Sequence, residues 1–202
     1  LWLFHNEDGD SAYSGLMFVV KVKPPSGVNF ISLVYPGTLM GNGPSLNSKG
    51  IIQTTNYISS TETRIGIPRY ILGRAILESK SIDNAIEITT KTPRTYPYHH
   101  NLVSIKEQKY YSVETTPYNS DIFEPSGIYY HTNHLKNKKT RNYRFQDNEY
   151  VNSSSKSRYV VIGEELKSVS SESSVPQDIF NILSSHSKMP YSPCRHPKDK
   201  VT

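Results

Sequence analysis

The chain is poor in the residues that usually announce a chemistry or a compartment. Its 202 residues include one cysteine, Cys194. That excludes an intrachain disulfide and any paired-cysteine metal motif. A lone cysteine favours a reducing, cytoplasmic setting. No apolar run approaches the roughly 20 residues a membrane-spanning helix needs, so no membrane partner is expected. There is no glycine-rich phosphate loop, no dinucleotide fingerprint and no His-Glu-x-x-His pair. Hydrophobic residues make up 35% of the chain, and mean hydropathy is -0.56. The surface is therefore polar. Aromatics, 15 of them tyrosines, supply the large buried area a core of this size requires.

What is present is one domain's length of chain, 1–202, with a modest positive charge of +5. That charge permits attraction to anions without requiring nucleic acid. The densest basic stretch runs from Lys136 to Arg144 and reads as a solvated loop. With Tyr143 inside it, a Tyr-rich nucleic-acid-binding surface is the alternative. Asn152-Ser153-Ser154 matches a glycosylation sequon by coincidence of composition.

Hydrophobic patterning gives strands first. Leu1 to His5 reads as a strand already in progress, followed by Leu16–Val22, Phe30–Tyr35 and Ile51–Ile58. Ser45 to Gly50 reads as a turn. Pro68 opens a helix carrying Ile71, Leu72, Ala75 and Ile76 on one stripe, and Ser81 starts a second with Ala85, Ile86 and Ile88. Strands resume at Asn101–Ile105 and Tyr110–Thr115, joined by a turn at Lys106–Lys109, and at Gly127–Thr132. A Ser/Asn-rich loop is expected at Tyr150–Lys156. A helix follows at Arg158–Val169, and another, with a capping box at Ser174 and Gln177, ends near Ser184. Strands and helices segregated in this order predict an α+β fold.

The polar groups worth weighing are few. His131-Thr132-Asn133-His134 lies where a predicted strand runs into a loop, a usual location for binding groups. Asn6-Glu7-Asp8-Gly9-Asp10 is an acidic turn, or an acid/base pair if His5 joins Glu7 or Asp8. His99, His100, His131 and His134 could be metal ligands, but their spacing favours structural histidines and no metal. Cys194 beside Arg195 and His196 has the neighbours of an activated thiol. Pro193 and Pro197 bracket it, however, and no nucleophile elbow is present.

Taken in order, several of these stretches resemble one family. They are His5-Asn6-Glu7-Asp8, Tyr35-Pro36-Gly37 through Met40-Gly41, and Leu46-Asn47-Ser48-Lys49-Gly50-Ile51 ending in Asn56. Gly66-Ile67-Pro68-Arg69 with Arg74–Ser79, His131-Thr132-Asn133-His134 and Ser192-Pro193-Cys194-Arg195 complete the set. Together they are similar to the acyl-coenzyme A:6-aminopenicillanic acid acyltransferase family (the C45 peptidase group) of N-terminal-nucleophile hydrolases. They also resemble the choloylglycine hydrolase-like linear amide hydrolases.

The resemblance implies an αββα four-layer sandwich, incomplete here at both ends. It implies cleavage or transfer of an acyl group at a linear amide bond, after autoproteolysis exposes an N-terminal cysteine. Asp8, Asn56, Asn133 and Arg195 then carry catalytic positions, with Asn6, Tyr57, Tyr129 and His131 in supporting or substrate-binding ones. No cofactor is implied, and a coenzyme A thioester is an admissible acyl donor. The partner implied is a small amide or acyl substrate, and no oligomeric state is implied. The family's nucleophile precedes the Asn-x-Asp motif, so the chain reads as a piece of a longer protein, inactive by itself. Cys194 then matches the residue beside the family's arginine, not the nucleophile. A catalytically inactive relative serving as an interaction domain is the remaining alternative.

Overall fold

A computed structural model describes residues 1–59, 62–143, 149–169 and 176–196. Its centre is a seven-stranded antiparallel sheet whose spatial order follows the chain. The strands are β1 (Phe18–Val22), β2 (Phe30–Val34), β3 (Ser45–Asn47), β4 (Ile51–Tyr57), β5 (Tyr98–Ser104), β6 (Lys109–Thr115) and β7 (Ser120–Phe123). The helices are α1 (Arg69–Ile76), α2 (Ile82–Thr90), α3 (Glu149–Glu165) and α4 (Pro176–Leu183). The predicted α+β class holds.

Side-chain alternation divides β4, β5 and β6 into two faces. Gln53 pairs with Leu102, and His100 with Thr55 and Val113. Ile51, Leu102 and Val113 therefore point one way, where they meet Ile76 of α1 and Ile82 and Ala85 of α2 in the apolar core. The other face carries Asn56, opposite His99, which is opposite Glu114. Here polar side chains are buried, and the segment after β7 lies over them.

Loop and helix are locked on the core side by glycine. Gly41 has φ +95, and a Cβ on Gly73 would lie 2.7 Å from the Gly41 carbonyl oxygen. The backbones touch, and Gln53 Nε2 donates to both Gly41 O and Gly73 O at 3.1 and 2.9 Å. Asn47 closes the neighbouring turn. Its Nδ2 donates to Leu77 O and Ser79 O, while its Oδ1 accepts from the N–H groups of Lys49 and Ile51. Arg94 is 1% exposed, and its guanidinium donates to carbonyls of Thr90, Lys91, Thr116 and Asn119, tying the α2 end to the β6–β7 turn.

Five expectations are corrected. Leu1–His5 has no strand pairing; it lines a cavity instead. Ser45–Asn47 is not only turn but strand β3, because it pairs with both β2 and β4. Gly127–Thr132 is unpaired: Gly127, at φ +74, turns the chain off the sheet edge, and β7 takes that edge. The Ser/Asn-rich stretch at Tyr150–Lys156 is helical, forming the first half of α3. Ser154 and Ser155 are buried there and bond to distant groups, so tertiary contacts override their weak helical preference. The helix read at Arg158–Val169 stops at Glu165, with one 3₁₀ turn to Ser168. Ser174 of the capping box lies outside the described residues.

Candidate active site

A cavity of about 660 Å³ opens largely on the polar face of the sheet. Asn6, Asp8, Asn56, Tyr57, Tyr129, His131 and Asn133 all line it. Its polar floor comes from β4, β5 and the segment after β7. Its apolar wall comes from Trp2 to Phe4, from Ile162 of α3, and from Ile182 and Leu183 of α4. A pocket with an apolar wall and a few converging polar groups suits a small molecule.

Asn56 is held from behind. Its Oδ1 can only accept, so His99 carries its proton on Nδ1 and donates at 2.8 Å. The bare Nε2 of His99 then accepts from Ser112 Oγ at 3.0 Å, and Ser112 Oγ accepts from the Tyr129 hydroxyl at 2.7 Å. Burial pushes the His99 pKa well below its ordinary value, keeping the ring neutral as this chain requires. Burial likewise pushes Tyr129 up, so its hydroxyl keeps the proton it donates. The outcome is an amide whose oxygen is committed and whose Nδ2 is left for a ligand.

Beside this relay stands a second one. The His131 and His99 rings stack with centroids 3.5 Å apart. His131 Nε2 donates to Glu114 Oε1 at 2.9 Å, both side chains being fully covered. Glu114 also accepts from the backbone N–H groups of Lys136 and Asn137 and from the Thr140 hydroxyl. Burial raises its pKa, but these donors outweigh burial and hold it net below the usual carboxylate range. Burial pushes His131 down despite its carboxylate partner. The pair is thus a neutral imidazole donating to a carboxylate.

Asn133 approaches the same end of β4 from the other side. Its Nδ2 donates to Tyr57 O at 3.0 Å, and its Oδ1 accepts from Arg158 Nη2 at 2.9 Å. Its backbone N–H donates to Ser155 Oγ at 2.7 Å. A primary amide has two N–H groups, so one remains after the bond to Tyr57. Tyr57 itself stacks on Tyr96.

Asp8 accepts from Arg195 Nη2 at 2.7 Å, and Asn6 Nδ2 donates to Leu183 O and Pro193 O at 2.8 and 3.2 Å. The acidic turn is thereby fastened to the C-terminal segment. Arg195 does not line the cavity; it stands behind Asp8. His5 pairs with Glu7 and not with Asp8. Cys194 does not line the cavity either.

Of the four histidines weighed as ligands, His100 faces the apolar core with α1 and α2, while His99 and His131 stack as described and the His134 ring lies 6.5 Å from that of His131, bonded to Ser155 Oγ. Had Gly127–Thr132 been a strand continuing to Asn133, period-2 alternation would set Tyr129, His131 and Asn133 on one face, and the structure does not do so. Tyr129 and His131 reach β6, while Asn133 reaches the end of β4, because the segment is a loop draped across the sheet. Lys136 of the basic stretch is half-buried, its Nζ lying over the rings of Tyr129, Tyr130 and Tyr159. Arg144 lies outside the described residues.

Sequence reasoning weighed His99 only as a metal ligand and passed over Ser112, Glu114 and Arg158 as site residues. The available signal was Ser112 and Glu114 at alternate positions of one strand, with His99 two positions before Asn101, since buried polar groups demand partners.

Comparison with known proteins completes the picture. The family model of acyl-coenzyme A:6-aminopenicillanic acid acyl-transferase matches residues 1–202. No curated protein sequence matches the chain. Among solved structures, the Caenorhabditis elegans N-acylethanolamine-hydrolyzing acid amidase ortholog superposes with a TM-score of 0.64 at 13% identity, covering 92% of this chain and 81% of that one. Penicillin V acylase from Agrobacterium tumefaciens superposes with a TM-score of 0.43 at 12% identity, covering 85% of this chain and 52% of its own. The fold is that of the N-terminal-nucleophile hydrolases. The chain belongs to the acyl-coenzyme A:6-aminopenicillanic acid acyl-transferase family, within the N-terminal-nucleophile hydrolase and acyltransferase class.

Proposed function

We propose that this chain forms the acyl-binding and oxyanion-stabilising side of a cysteine amidohydrolase or acyltransferase. The nucleophile is an autoproteolytically exposed N-terminal cysteine ahead of Leu1 in the full-length protein. The observation that carries this reading is the placement of Asn56 and Asn133. Both line one cavity, and both amides are pinned, Asn56 by the buried His99 and Asn133 by Tyr57 O and Arg158, so that N–H groups remain for a ligand.

The chemistry balances as follows. The α-amine of the cysteine, with a pKa of about 8, takes the thiol proton. The sulfur attacks the amide carbon, and the carbonyl oxygen gains the negative charge of the tetrahedral intermediate. Asn56 and Asn133 donate to that oxygen. Collapse breaks the C–N bond, the ammonium returns its proton to the leaving nitrogen, and a thioester remains. Water or an acceptor amine then attacks the thioester and regenerates the thiol. Asp8, held by Arg195, lines the cavity where the α-amine would stand and orients it. The apolar wall receives the acyl chain. A coenzyme A thioester could load the same thiol.

The test uses full-length protein carrying the upstream cysteine and an activated acyl ester. Intact mass should show one acyl adduct on the processed cysteine. No adduct on a correctly processed cysteine sinks the proposal. Asn56→Ala should lower kcat by about 10²–10³, the usual cost of losing one oxyanion donor, with KM little changed.

A further inference from the structure

A second group of chemically active side chains lies outside the cavity, in the turn that follows α4. Cys194 N–H donates to Ser185 O at 3.0 Å, which closes residues 185–194 into a loop. Ser185 Oγ donates to Glu165 Oε1 at 2.6 Å, so the loop's root is anchored on α3. Inside the loop, Tyr191 N–H donates to Lys188 O, and Ser192, fully buried, donates to Cys194 O. Closure brings His186 from one end against Cys194 and His196 from the other. The two Nε2 atoms stand 2.9 Å apart, with rings near-parallel at 19°. Together with Cys194 Sγ, the ligand atoms lie within 4.8 Å of one another. Among the described residues, no other histidines, cysteines or carboxylates converge in this way.

We infer that His186, Cys194 and His196 form a binding site for a borderline-soft divalent cation of the zinc type, with a fourth position open to water. Two imidazole nitrogens and a thiolate suit such an ion and not magnesium or calcium, which want oxygen. Bond lengths of about 2.0–2.1 Å to nitrogen and 2.3 Å to sulfur place tetrahedral ligands roughly 3.3–3.6 Å apart. Reaching that needs the imidazoles to part slightly and the sulfur to close in. His186 and His196 are exposed, so that shift is made at the surface and not in the core. The backbone bond from Cys194 to Ser185 already removes most of the loop entropy that metal binding would otherwise have to overcome. Occupancy has a local consequence. Arg195 sits between two ligands and holds Asp8 at 2.7 Å, so the ion clamps the backbone that positions this pair. The site stands whether or not the cavity is catalytic.

Tag-free protein titrated with Zn²⁺ alone, read by calorimetry, should bind one equivalent. Co²⁺ in its place should give a thiolate-to-metal charge-transfer band and intense tetrahedral visible bands. Cys194→Ser should abolish the charge-transfer band. Both Cys194→Ser and His186→Ala should weaken Zn²⁺ binding by at least about tenfold, the loss seen even for outer partners of a metal. Far-UV circular dichroism checks that both variants fold. Failure of Zn²⁺ to saturate at one equivalent, or affinity unchanged in both folded variants, overturns the site.

Discussion

Acid should destabilise this protein through histidines it buries neutral, and His100 allows the size to be worked out. His100 is 2% exposed, on the face against α1 and α2. Burial, aided by the nearby charges of Arg94 and Arg69, pushes its pKa down to about 3. In the unfolded chain the value returns to about 6.5. The depressed folded value means the unfolded state binds the extra proton. Stability from this residue is therefore complete above about pH 6.5 and declines as pH falls below it. Integrated from about pH 8 to about pH 5, the loss at His100 alone is on the order of 2 kcal/mol. His99 and His131 are pushed down as well and add in the same direction. Glu114 contributes in a lower window: its depressed value gives stability above the ordinary carboxylate pKa that is lost as pH falls through the folded one. Urea denaturation followed by far-UV circular dichroism at a series of pH values measures this. His100→Gln, which cannot titrate, should lose about 2 kcal/mol less than wild type over the same range. Parallel stability curves for the two proteins would refute the reasoning.

Two further outcomes bear on the scaffold. Asn47→Ala removes an amide that makes four hydrogen bonds around the β3–β4 turn and the α1 end, and should cost about 2–4 kcal/mol in urea denaturation. Gly73→Ala sets a methyl 2.7 Å from the Gly41 carbonyl oxygen and should cost about 1–3 kcal/mol by the same assay, whereas helix propensity alone would make it stabilising.

Much of the local structure was legible because it depends on neighbours in sequence. Pro68 and Ser81 mark the starts of α1 and α2, Pro68 as N-cap one place before the first helical residue, and Ser81 Oγ accepts from Asn84 N–H. The β5–β6 hairpin follows from two apolar runs around Lys106–Lys109, where Gln108 takes φ 54. The Asn-x-x-Gly stretch signalled Asn47 and Gly50, and the structure supplies the reason: a side-chain amide closing a turn that Gly50 makes at φ +80. The first half of α3 was not legible. Its serines look like loop, and they are helical because Ser155 serves Thr132, Asn133 and His134 across the fold.

The sequence by itself determined the α+β class, both helices of the core face and the ordered motifs that carry the family. Those rest on periodicity, caps and spacing, which are local. Only the tertiary structure decided what the polar residues do. His99 meets Asn56 from 43 positions away, Asn133 meets Tyr57 from 76, and Arg195 meets Asp8 from 187. A buried donor or acceptor must be satisfied by whatever the fold brings to it, and no short-range pattern encodes which partner that is.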